Sequence, residues 1–413
     1  MSDELPQGWA TVRVSELCDV TKEKGREGAV PYLEIGNVEI NSKSYTLTDK
    51  PSVKGCRLAK KSDVLVSKVR PTRGAIVWIH EDELQVSSAF TVLRNRGALV
   101  EKCLWHFLAW NRAYLNHLGE NCSGTMYPTT SDDAVIDFEM PVAPLPEQRR
   151  IAAKLETLLG KVDACQRRLA KIPRLLKRFR QSVLAAACSG RLTADWRNEK
   201  DVDDEWPISP LSKLFTMRNG KSLTTAKRRD GDIPAYGGNG RMGTHNAANA
   251  DGQVIVIGRV GAQCGNVHFV SGKVWVTDNA ISLEAKGEVE PAFYAYFLRS
   301  QNLNQLSAGT GQPYVSQEIL GPIETPVVSL PEQHEIVRRV ERLFTFADQL
   351  EARFAKAQAQ VDRLTPSLLA KAFRGELVPQ DPGDEPASAL LARIRSETNG
   401  AGPRTARARR GHG

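Results

Sequence analysis

The chain repeats one stretch of its own sequence, and this repeat limits the folds available to it. A shift of 185 residues places the Leu-Pro-Glu-Gln motif at 145–148 on the same motif at 330–333 without a gap. The register continues over identical pairs: Ile151 with Ile336, Glu156 with Glu341, Leu158 with Leu343, Asp163 with Asp348, Ser182 with Ser367, Gly190 with Gly375 and Leu192 with Leu377. An internal repeat of this extent requires a fold in which one structural unit occurs twice.

Each copy of the repeat has the pattern of one long amphipathic helix. A proline and a glutamate suit the first helical turn, and Gly190 and Gly375 suit the C-terminal ends. We expect Pro173 and Pro366, inside the two helices, to kink them. Apolar residues recur at steps of four and three, as in a heptad seam. The predicted seam comprises Ile151, Leu155, Leu158, Val162, Leu169 and Leu176 in the first helix and Ile336, Val340, Leu343, Leu350, Val361 and Leu364 in the second.

The length of the linker predicts how the two helices pair. Two unrelated core helices would not be expected to share a gapless repeat and one seam, so each apolar stripe is the natural partner of the other. A helix of about 40 residues is roughly 60 Å long. The linker from Leu192 to Trp206 spans at most roughly 50 Å when extended. Parallel pairing would strain that linker, so we expect an antiparallel coiled coil.

The segments outside the helices predict two domains that share a scheme. Runs with β character occur at 63–69, 75–79 and 85–93, and again at 254–257, 266–270, 273–277 and 280–284. A helix is expected after each set, around 104–118 and 293–306. The repeat register resumes near the end of each domain: Gly124-Thr125 matches Gly309-Thr310, Pro128 matches Pro313, Ser131 matches Ser316 and Pro141 matches Pro326.

The predicted fold class is therefore α+β, with two mixed α/β domains separated by a long antiparallel two-helix coiled coil in a pseudo-two-fold tandem repeat. The predicted boundaries are a first domain at 1–145, a first helix at 146–190, a linker at 191–205, a second domain at 206–330, a second helix at 331–376, and a C-terminal extension at 377–413.

The positive charge is concentrated in the first helix. The chain has a net charge of +8, yet residues 146–197 alone carry thirteen Lys and Arg against four Asp and Glu. Residues 331–376 carry eight against seven. A basic run often forms only a solvated surface, but an excess of this size is typical of a polyanion-binding protein. The tail after Thr398 contains Arg404, Arg407, Arg409 and Arg410 and no acid, which predicts disorder.

Several classes of protein are disfavoured by what the sequence lacks. It has no apolar run near 18 residues and no signal-peptide pattern at its start, so we expect a cytoplasmic protein without membrane contact. Its seven cysteines never occur in C-x-x-C spacing, so neither a disulfide framework nor a metal site is expected.

No stretch of the sequence predicts a catalytic site. The run at 238–243 fits the G-x-G-x-x-G pattern, but no predicted strand precedes it and no helix follows, so a glycine-rich loop is expected. The sequence lacks H-E-x-x-H, G-x-S-x-G and the Asn-Pro-Pro-aromatic motif of methyltransferases that act on a flipped base. We therefore expect no catalytic residue in this chain.

Basic and amide side chains in the turns of both domains instead favour DNA binding. Lys68, Arg70 and Arg73 surround a proline turn in the first domain, and Arg259 and Gln263 occupy the comparable turn in the second. Arginine and glutamine read guanine and adenine edges through paired hydrogen bonds. The further candidate DNA contacts, mainly to phosphate, are Lys22, Lys24, Arg26, Lys227, Arg228, Arg229 and Arg241. For any one of these residues, ordinary surface solubility is an equally good explanation.

Segments of the two predicted long helices resemble those of a known family, the specificity (S) subunits of type I restriction-modification systems. The stretch at 172–193 resembles the family's central conserved region, and the stretch at 368–377 resembles its distal one. The segment at 236–246, with Ile257-Gly258-Arg259 and Cys264-Gly265-Asn266, is similar to target-recognition-domain signatures. The resemblance covers residues 5 to about 397 and is strongest in the helices.

This resemblance implies a non-catalytic DNA-binding subunit. Each target recognition domain would read one half of a bipartite, asymmetric site in double-stranded DNA, and the coiled coil would fix the unread spacer. Two methylation (M) subunits would dock on the helices and domains, and restriction (R) subunits would join them. S-adenosylmethionine, ATP and Mg would bind to those partners, and no cofactor would bind to this chain.

Two other functions remain open from the residues alone. An autonomous sequence-specific DNA-binding regulator would bind its site tightly without partners. A protein-interaction scaffold would show no salt-sensitive DNA binding. The basic first helix and the arginine-bearing turns favour a DNA-binding function over the scaffold.

Overall fold

The computed structural model describes residues 5–100, 102–202, 205–224, 226, 228–261, 263–308 and 313–400, with side chains described up to residue 396. The chain forms two compact units: Met1–Arg167 with Gln358–Gly413 make the first, and Arg168–Ala357 make the second. No helix within the described ranges is long and apolar enough to cross a membrane.

The first unit is built on a four-stranded antiparallel sheet. The strands of the whole unit are β1 (Ala10–Arg13), β2 (Cys18–Thr21), β3 (Tyr32–Leu33), β4 (Val38–Glu39), β5 (Ser44–Tyr45), β6 (Arg57–Lys60), β7 (Val64–Ser67), β8 (Ile76–Trp78), β9 (Glu83–Val86), β10 (Phe90–Asn95) and β11 (Glu139–Val142). Its helices are α1 (Val14–Leu17), α2 (Cys103–Trp110), α3 (Arg112–Glu120), α4 (Asp132–Ile136) and α5 (Leu145–Leu169), which runs into the second unit. The main sheet has the order β2-β10-β7-β8, a second sheet the order β3-β9-β6, and β1 pairs with β11.

The second unit repeats this plan. Its helices are α6 (Ile172–Cys188), α7 (Ala194–Lys200), α8 (Leu211–Leu214), α9 (Pro291–Ser300), α10 (Gln317–Leu320) and α11 (Leu330–Phe373), which runs back into the first unit, where α12 (Ala387–Gly400) follows. Its strands are β12 (Ile208–Pro210), β13 (Phe215–Asn219), β14 (Ile233–Gly237), β15 (Gly240–His245), β16 (Gln253–Gly258), β17 (Val267–Ser271), β18 (Trp275–Val276), β19 (Ala280–Ala285) and β20 (Glu324–Pro326). The sheet orders are β13-β19-β16-β17 and β15-β14-β18, and β12 pairs with β20.

Each main sheet is buried on both faces. In β7, Val64 and Val66 pack into the cluster that contains α2 and α3, whereas Leu65 packs into the cluster formed with β6 and β9. The second unit does the same: Ile255 and Ile257 of β16 face the helices, and its neighbouring valines face the smaller sheet. Because successive side chains of a strand point to opposite faces, such strands are continuous apolar runs.

The predicted strands and helices of the two domains are largely confirmed, with three corrections. The helical stretch expected around 104–118 is two helices, α2 and α3, separated by Asn111. The run at 85–93 contains parts of two strands, β9 and β10, separated by a turn. The helix predicted at 293–306 ends at Ser300, and a separate 3₁₀ turn follows at Leu303–Leu306. Ser131 and Ser316, a matched pair of the repeat, each cap a short helix through the side-chain oxygen.

The first long helix is broken, and the second is not. The prediction of one continuous helix at 146–190 is wrong, because α5 ends at Leu169 and α6 begins at Ile172 with Pro173 in its first turn. The proline lacks the N–H that would continue the hydrogen-bond ladder, and the chain breaks just before it. In α11, by contrast, Pro366 lies inside a helix that continues to Phe373. Gly190 and Gly375 follow the helices with positive φ angles of 73° and 71°.

Within each unit, the two long helices pack side by side in opposite directions. In the first unit, Ile151 and Leu155 near the start of α5 share a buried cluster with Leu369 and Ala372 near the end of α11. In the second unit, Val183 and Ala187 near the end of α6 lie in one buried cluster with Ile336 and Val340 near the start of α11. Arg180 also forms ion pairs with Asp348 and Glu351, with N···O distances of 2.6 and 2.8 Å.

Most of the predicted seam is buried or half-buried, and Leu364 is an exception. Its side chain is 43% exposed, so its assignment to the seam is wrong. Beyond Pro366 the buried positions are Leu369 and Ala372. The buried seam residues are Ile151, Leu155, Val162, Leu176, Ile336 and Val340, and the half-buried ones are Leu158, Leu169, Leu343, Leu350 and Val361.

The repeated Pro-Glu-Gln motif attaches the start of each long helix to its domain. In the first unit, the indole Nε1 of Trp9 donates to Glu147 over 3.0 Å, and Gln148 Nε2 donates to the carbonyl of Ala143 over 2.9 Å. In the second unit, Trp206 donates to Glu332 over 3.1 Å, and Gln333 donates to the carbonyl of Val328 over 2.7 Å. All four motif side chains are buried.

The two glutamates differ in their remaining partners. Glu332 Oε1 accepts hydrogen bonds from Thr193 and from Arg197, which are themselves buried. Among the described residues, Oε1 of Glu147 has no hydrogen-bond partner. Burial raises the pKa of Glu147, although the bond from Trp9 opposes this. The same motif therefore holds a buried ion pair in one unit and an incompletely satisfied carboxyl group in the other.

The predicted linker and C-terminal extension contain helices that the sequence interpretation did not include. Helix α7 lies within the linker at 191–205 and supplies Arg197. In the extension, Ala387, Leu391 and Ile394 of α12 are buried in the main core of the first unit. Arg150 of α5 forms an ion pair with Asp384, with an N···O distance of 2.6 Å. The arginines of the predicted disordered tail lie outside the described residues.

The difference between the glutamates gives a stability prediction with an internal control. We expect Glu332→Gln to lower the unfolding free energy of the second unit by about 3–5 kcal/mol, because it breaks a buried ion pair. Glu147→Gln removes a charge that burial already disfavours, so its cost should be smaller, about 1 kcal/mol or less. Differential scanning calorimetry of both variants measures the difference, and equal losses would contradict the assigned role of Arg197.

Candidate nucleic-acid interface

The two predicted base-contacting turns, called reading turns for that predicted role, occupy the same position in both units. The turn at 68–73 follows β7, and the turn at 259–263 follows β16. Both strands are third in the order of their four-stranded sheets, and each is paired with the edge strand that comes next in the chain. The comparison of these turns made from sequence is therefore confirmed in the architecture.

Each turn is joined to a loop by equivalent backbone hydrogen bonds. In the first unit, Val69 forms a β-bridge with Thr129, and the N–H of Arg70 donates to the carbonyl of Pro128 over 2.8 Å. In the second unit, Val260 forms a β-bridge with Tyr314, and the N–H of Gly261 donates to Pro313 over 2.9 Å. Pro128 and Pro313 are a matched pair of the repeat, so backbone contacts preserve this part of the surface.

The basic side chains of the first turn differ in how accessible they are for contact with DNA. Lys68 is largely buried and forms an ion pair with Asp132, with an N···O distance of 3.2 Å. Burial tends to raise the pKa of Asp132, but hydrogen bonds from Thr91 and Lys68 and the charges of Lys68 and Arg57 keep it below its ordinary value. Lys68 is therefore held by the domain, whereas Arg73 is exposed.

Arg70 belongs to an exposed aromatic feature that the sequence interpretation missed. Its φ angle of 48° is left-handed, and its guanidinium carbon lies 5.0 Å from the centre of the Tyr127 ring. Tyr127 is 66% exposed and Met126 is 80% exposed. Large exposed apolar side chains beside a basic turn are suited to contact with bases. The Gly124-Thr125 match identifies the loop but gives no indication that its tip projects.

The reading turn of the second unit has different side-chain contacts. Arg259 Nη1 donates to the carbonyl of Asp278 over 3.3 Å, and the side chain is half-buried. Gln263 is exposed, and its Oε1 accepts a hydrogen bond of 2.7 Å from Asn266 Nδ2. The two turns therefore present different polar groups from the same position of the fold.

The glycine-rich run at 238–243 is not simply a loop. Strand β15 begins at Gly240 and pairs with β14, so the run forms the turn and one arm of a β-hairpin. Arg241 is exposed on this arm. The expectation of a loop is wrong for residues 240–243, because glycines with φ angles of 91° and 132° allow the strand to begin directly after the turn.

Arg228 stabilises this hairpin. Its guanidinium donates to the carbonyl of Met242 over 2.8 Å and to the carbonyl of Thr244 over 3.1 Å. It lies against the Cα of Gly243, where a Cβ would collide with it. Arg228 therefore has a structural role in the hairpin, and because the side chain is exposed with further N–H groups, its contact with phosphate stays a prediction.

The other candidate phosphate contacts are exposed. Arg229 lies next to the hairpin anchor, and Lys22, Lys24 and Arg26 lie after β2 in the first unit, all with exposed side chains. Lys227 lies outside the described residues. No group of three or more His, Cys, Asp or Glu side chains suited to a metal ion occurs within the described ranges.

Comparison with known proteins identifies the family. Residues 6–174 and 203–358 match the type I restriction modification DNA specificity domain, once in each half of the chain. The chain belongs to this family. Both matches include a reading turn and part of a long helix, which agrees with the repeated architecture. The chain is thus a DNA sequence-recognition subunit of a type I restriction-modification complex, and an autonomous regulator finds no support among its relatives.

Characterised relatives match over most of the chain. It is 28% identical to the EcoKI specificity subunit of Escherichia coli K12, with 98% of each chain covered. It is 28% identical to the StySPI specificity subunit of Salmonella potsdam over 95% of this chain and 96% of the relative. It is also 30% identical to the EcoBI specificity subunit of Escherichia coli over 80% of this chain and 79% of the relative. All three relatives are specificity subunits of type I restriction enzymes.

Solved structures share the fold. A chain of the type I R-M system, solved in work on its complex assembly and conformational transition, superposes with a TM-score of 0.74 at 22% identity and covers 91% of this chain and 100% of its own length. The HsdS subunit from Thermoanaerobacter tengcongensis superposes with a TM-score of 0.61 at 22% identity and covers 90% of this chain and 98% of its own length.

The structural role of Arg228 can be tested against its neighbour. We expect Arg228→Ala to lower the unfolding free energy of the second unit by about 1 kcal/mol or more, because two carbonyls of the hairpin lose a charged donor. Arg229→Ala removes an exposed side chain and should leave stability unchanged within about 0.5 kcal/mol. Urea denaturation measures both values. A larger loss for Arg229→Ala than for Arg228→Ala would contradict the stabilising role of Arg228.

Proposed function

We propose that this chain reads a bipartite, asymmetric site in double-stranded DNA, with one half read by each unit. The supporting observation is that both units carry a reading turn at the same position of one fold, but with different side chains. Arg70 and Arg73 lie in the first turn, and Arg259 and Gln263 in the second. Because the polar groups differ, the two half-sites should differ in sequence.

We infer further that the long helices form an antiparallel coiled coil that fixes the unread spacer between the half-sites. The pairing of opposite helix ends within each unit supports this, as does the seam of Ile151, Leu155, Ile336 and Val340. The Pro-Glu-Gln contacts fix each domain to the start of its helix. In this proposal, the boundaries between domains and helices follow those expected from the sequence, with α7 and α12 added.

The catalytic parts of the proposed complex are separate chains. Two methylation subunits would dock on this chain and supply S-adenosylmethionine binding and adenine methylation. Restriction subunits would join and bring ATP and Mg chemistry. The assembly would act in the cytoplasm, where the host DNA lies. The relation to a chain solved in a study of type I complex assembly supports this arrangement.

A groove between α6 and α11 in the second unit is the proposed docking surface for a methylation subunit. It is apolar, and two of its side chains are strongly exposed: Leu175 at 58% and Phe346 at 53%. It begins next to the break between α5 and α6. Its lining residues are Leu169, Ile172, Leu175, Leu176, Phe179, Phe346, Leu350, Arg353, Phe354 and Ala357. Apolar surface of this kind is typical of a protein interface.

Substitutions in this groove should weaken assembly without affecting DNA-reading residues. We expect Leu175→Ser with Phe346→Ser to raise the dissociation constant for the methylation subunit at least tenfold, because two exposed apolar side chains can no longer pack against the partner. Ile208→Ser, which changes another exposed apolar residue of the same unit at 61% exposure, is the control. Co-purification and calorimetric titration measure the effect, and an unchanged affinity would exclude this groove as the interface.

The function itself is tested by mapping methylated adenines in a genome after co-expression with the methylation subunit encoded beside this gene. We expect a two-part asymmetric motif with a fixed gap that depends on this chain.

In the same assay, Arg259→Ala should relax one half of the motif at a cost of about 1–3 kcal/mol in discrimination, since a base contact is lost.

Three outcomes would count against parts of the proposal. Loss of methylation at all sites in equal proportion after Arg259→Ala would exclude a base-reading role for this residue. A symmetric motif would contradict the reading of different half-sites. DNA binding by this chain without any methylation would favour an autonomous regulator over a specificity subunit.

A further inference from the structure

A polar cleft lies directly beyond the reading turn of the second unit. Its walls are the start of β17, the end of α9 and the 3₁₀ turn at Leu303–Leu306. The side chains that define this polar cleft are Asn266, His268, Arg299, Asn302 and Gln305. None of them belongs to the reading turn or to the apolar groove.

The two walls of the cleft are held together by a close backbone approach. Gly265 has a φ angle of 80°, and a Cβ on it would lie 2.5 Å from the backbone nitrogen of Asn304. Only glycine permits both the φ angle and the approach. Asn304 Nδ2 also donates to the carbonyl of Cys264 over 3.2 Å. The cleft is therefore a built feature of the fold, with its side chains on a fixed frame.

The lining is rich in hydrogen-bond donors and has no carboxylate. Arg299 donates from Nε to the carbonyl of Val267 over 3.1 Å, and no acidic partner for its guanidinium occurs within the described ranges. Although Arg299 is exposed, desolvation by the surrounding protein lowers its pKa. The side-chain amides of Asn302 and Gln305 also have no partner in the described part of the chain. The guanidinium carbon also lies 5.9 Å from the centre of the Tyr296 ring. A cation without an acidic partner, in a cleft that also carries amide side chains, suits an anionic oxygen ligand.

The imidazole of His268, a residue of the cleft wall, has one polar atom without a partner in the part of the chain that the structure describes. Its Nε2 is shielded from solvent and has no hydrogen-bond partner among the residues described. Burial, and then the charge of Arg299, lower the pKa of His268. A buried polar atom without a partner is costly, so this wall of the cleft is not fully satisfied by the protein's own groups.

We propose that this polar cleft binds a backbone phosphate of the DNA next to the base pairs read by Arg259 and Gln263. The inference rests on the proposed function. DNA is favoured over a free anion because Asn266 of the cleft donates to Gln263 of the reading turn, so that one hydrogen bond joins the two. Phosphate contacts of this kind fix the register of a protein on DNA, and the base contacts then supply specificity.

The test uses the assembled complex with its methylation subunits and duplexes with and without the recognition motif. We expect Arg299→Ala to weaken binding to both duplexes by the same factor, and to reduce the slope of log affinity against log salt by about one. Arg299→Lys should keep most of the slope. Arg218→Ala is the matched control, because β13 lies at the opposite edge of the same sheet from β17.

A second measurement identifies the phosphate. Duplexes that carry one neutral methylphosphonate at successive positions are bound to the parent complex and to the Arg299→Ala complex. We expect one position near the half-site of the second unit to weaken the parent and to have no further effect on the variant. An unchanged salt slope, or additive losses at every position, would overturn the proposal.

Failure of this inference is distinguishable from failure of the proposed function. If the parent complex shows no sequence-specific binding, the function fails before the cleft is tested. If the parent binds its motif and Arg299→Ala binds identically, only the cleft assignment fails. Inorganic phosphate that shifts the His268 resonance without any salt-slope change for Arg299→Ala would identify a free-anion site and reject the DNA phosphate.

Discussion

The buried start of each long helix is the contact on which the rest of the fold depends. A glutamate and a glutamine in the first helical turn are removed from solvent and form hydrogen bonds with their own domain: the glutamate accepts from a tryptophan indole, and the glutamine bonds to backbone groups. In the first unit, Oε1 of Glu147 has no partner among the described residues. Polar side chains so deeply buried must find partners in one geometry only, because a misplaced carboxylate or amide is costly. The domain is thereby fixed on its helix, and the reading turn that the domain carries has a fixed orientation relative to that helix. A purely apolar contact would allow the domain to slide along its helix, whereas these hydrogen bonds do not.

The sequence predicted the repeated frame well, because frame positions are repeated literally. Among the matched pairs, Pro128 and Pro313 lie beside β-bridges, Ser131 and Ser316 cap short helices, and Gly190 and Gly375 follow the long helices, positions where backbone geometry permits few residues. The seam was predicted for the same reason, apart from Leu364, where the buried stripe shifts to Leu369 and Ala372 beyond Pro366. The break before Pro173 was expected only as a kink. Proline removes one hydrogen bond in either helix, but only the first helix is interrupted beside it. Whether the helix breaks or continues depends on tertiary contacts, which the local sequence does not contain.

The reading surface was predicted less completely, since exposed side chains follow no period. Lys68 and Arg228 looked like free cations, but the fold places a carboxylate beside one and carbonyls beside the other. Arg70, Arg73, Arg259 and Gln263 retained a candidate role because the turns that hold them are part of the frame. The tip formed by Met126 and Tyr127 and the cleft around Arg299 join residues far apart in the chain, which spacing cannot reveal. Backbone hydrogen bonds conserve the shape of the surface, while its side chains are free to differ between the two units.

The position of α12 also has a consequence for biosynthesis. Its apolar residues complete the core of the first unit, which the ribosome begins to make before anything else in this sequence. The second unit consists of one continuous segment and has all its parts as soon as residue 357 has emerged. At common translation rates, the first domain waits roughly ten to fifty seconds for α12 after its own strands are made. During that interval its apolar surface is open to chaperones and to misassembly. A premature stop late in the message would therefore damage the domain encoded at the beginning and spare the one in the middle.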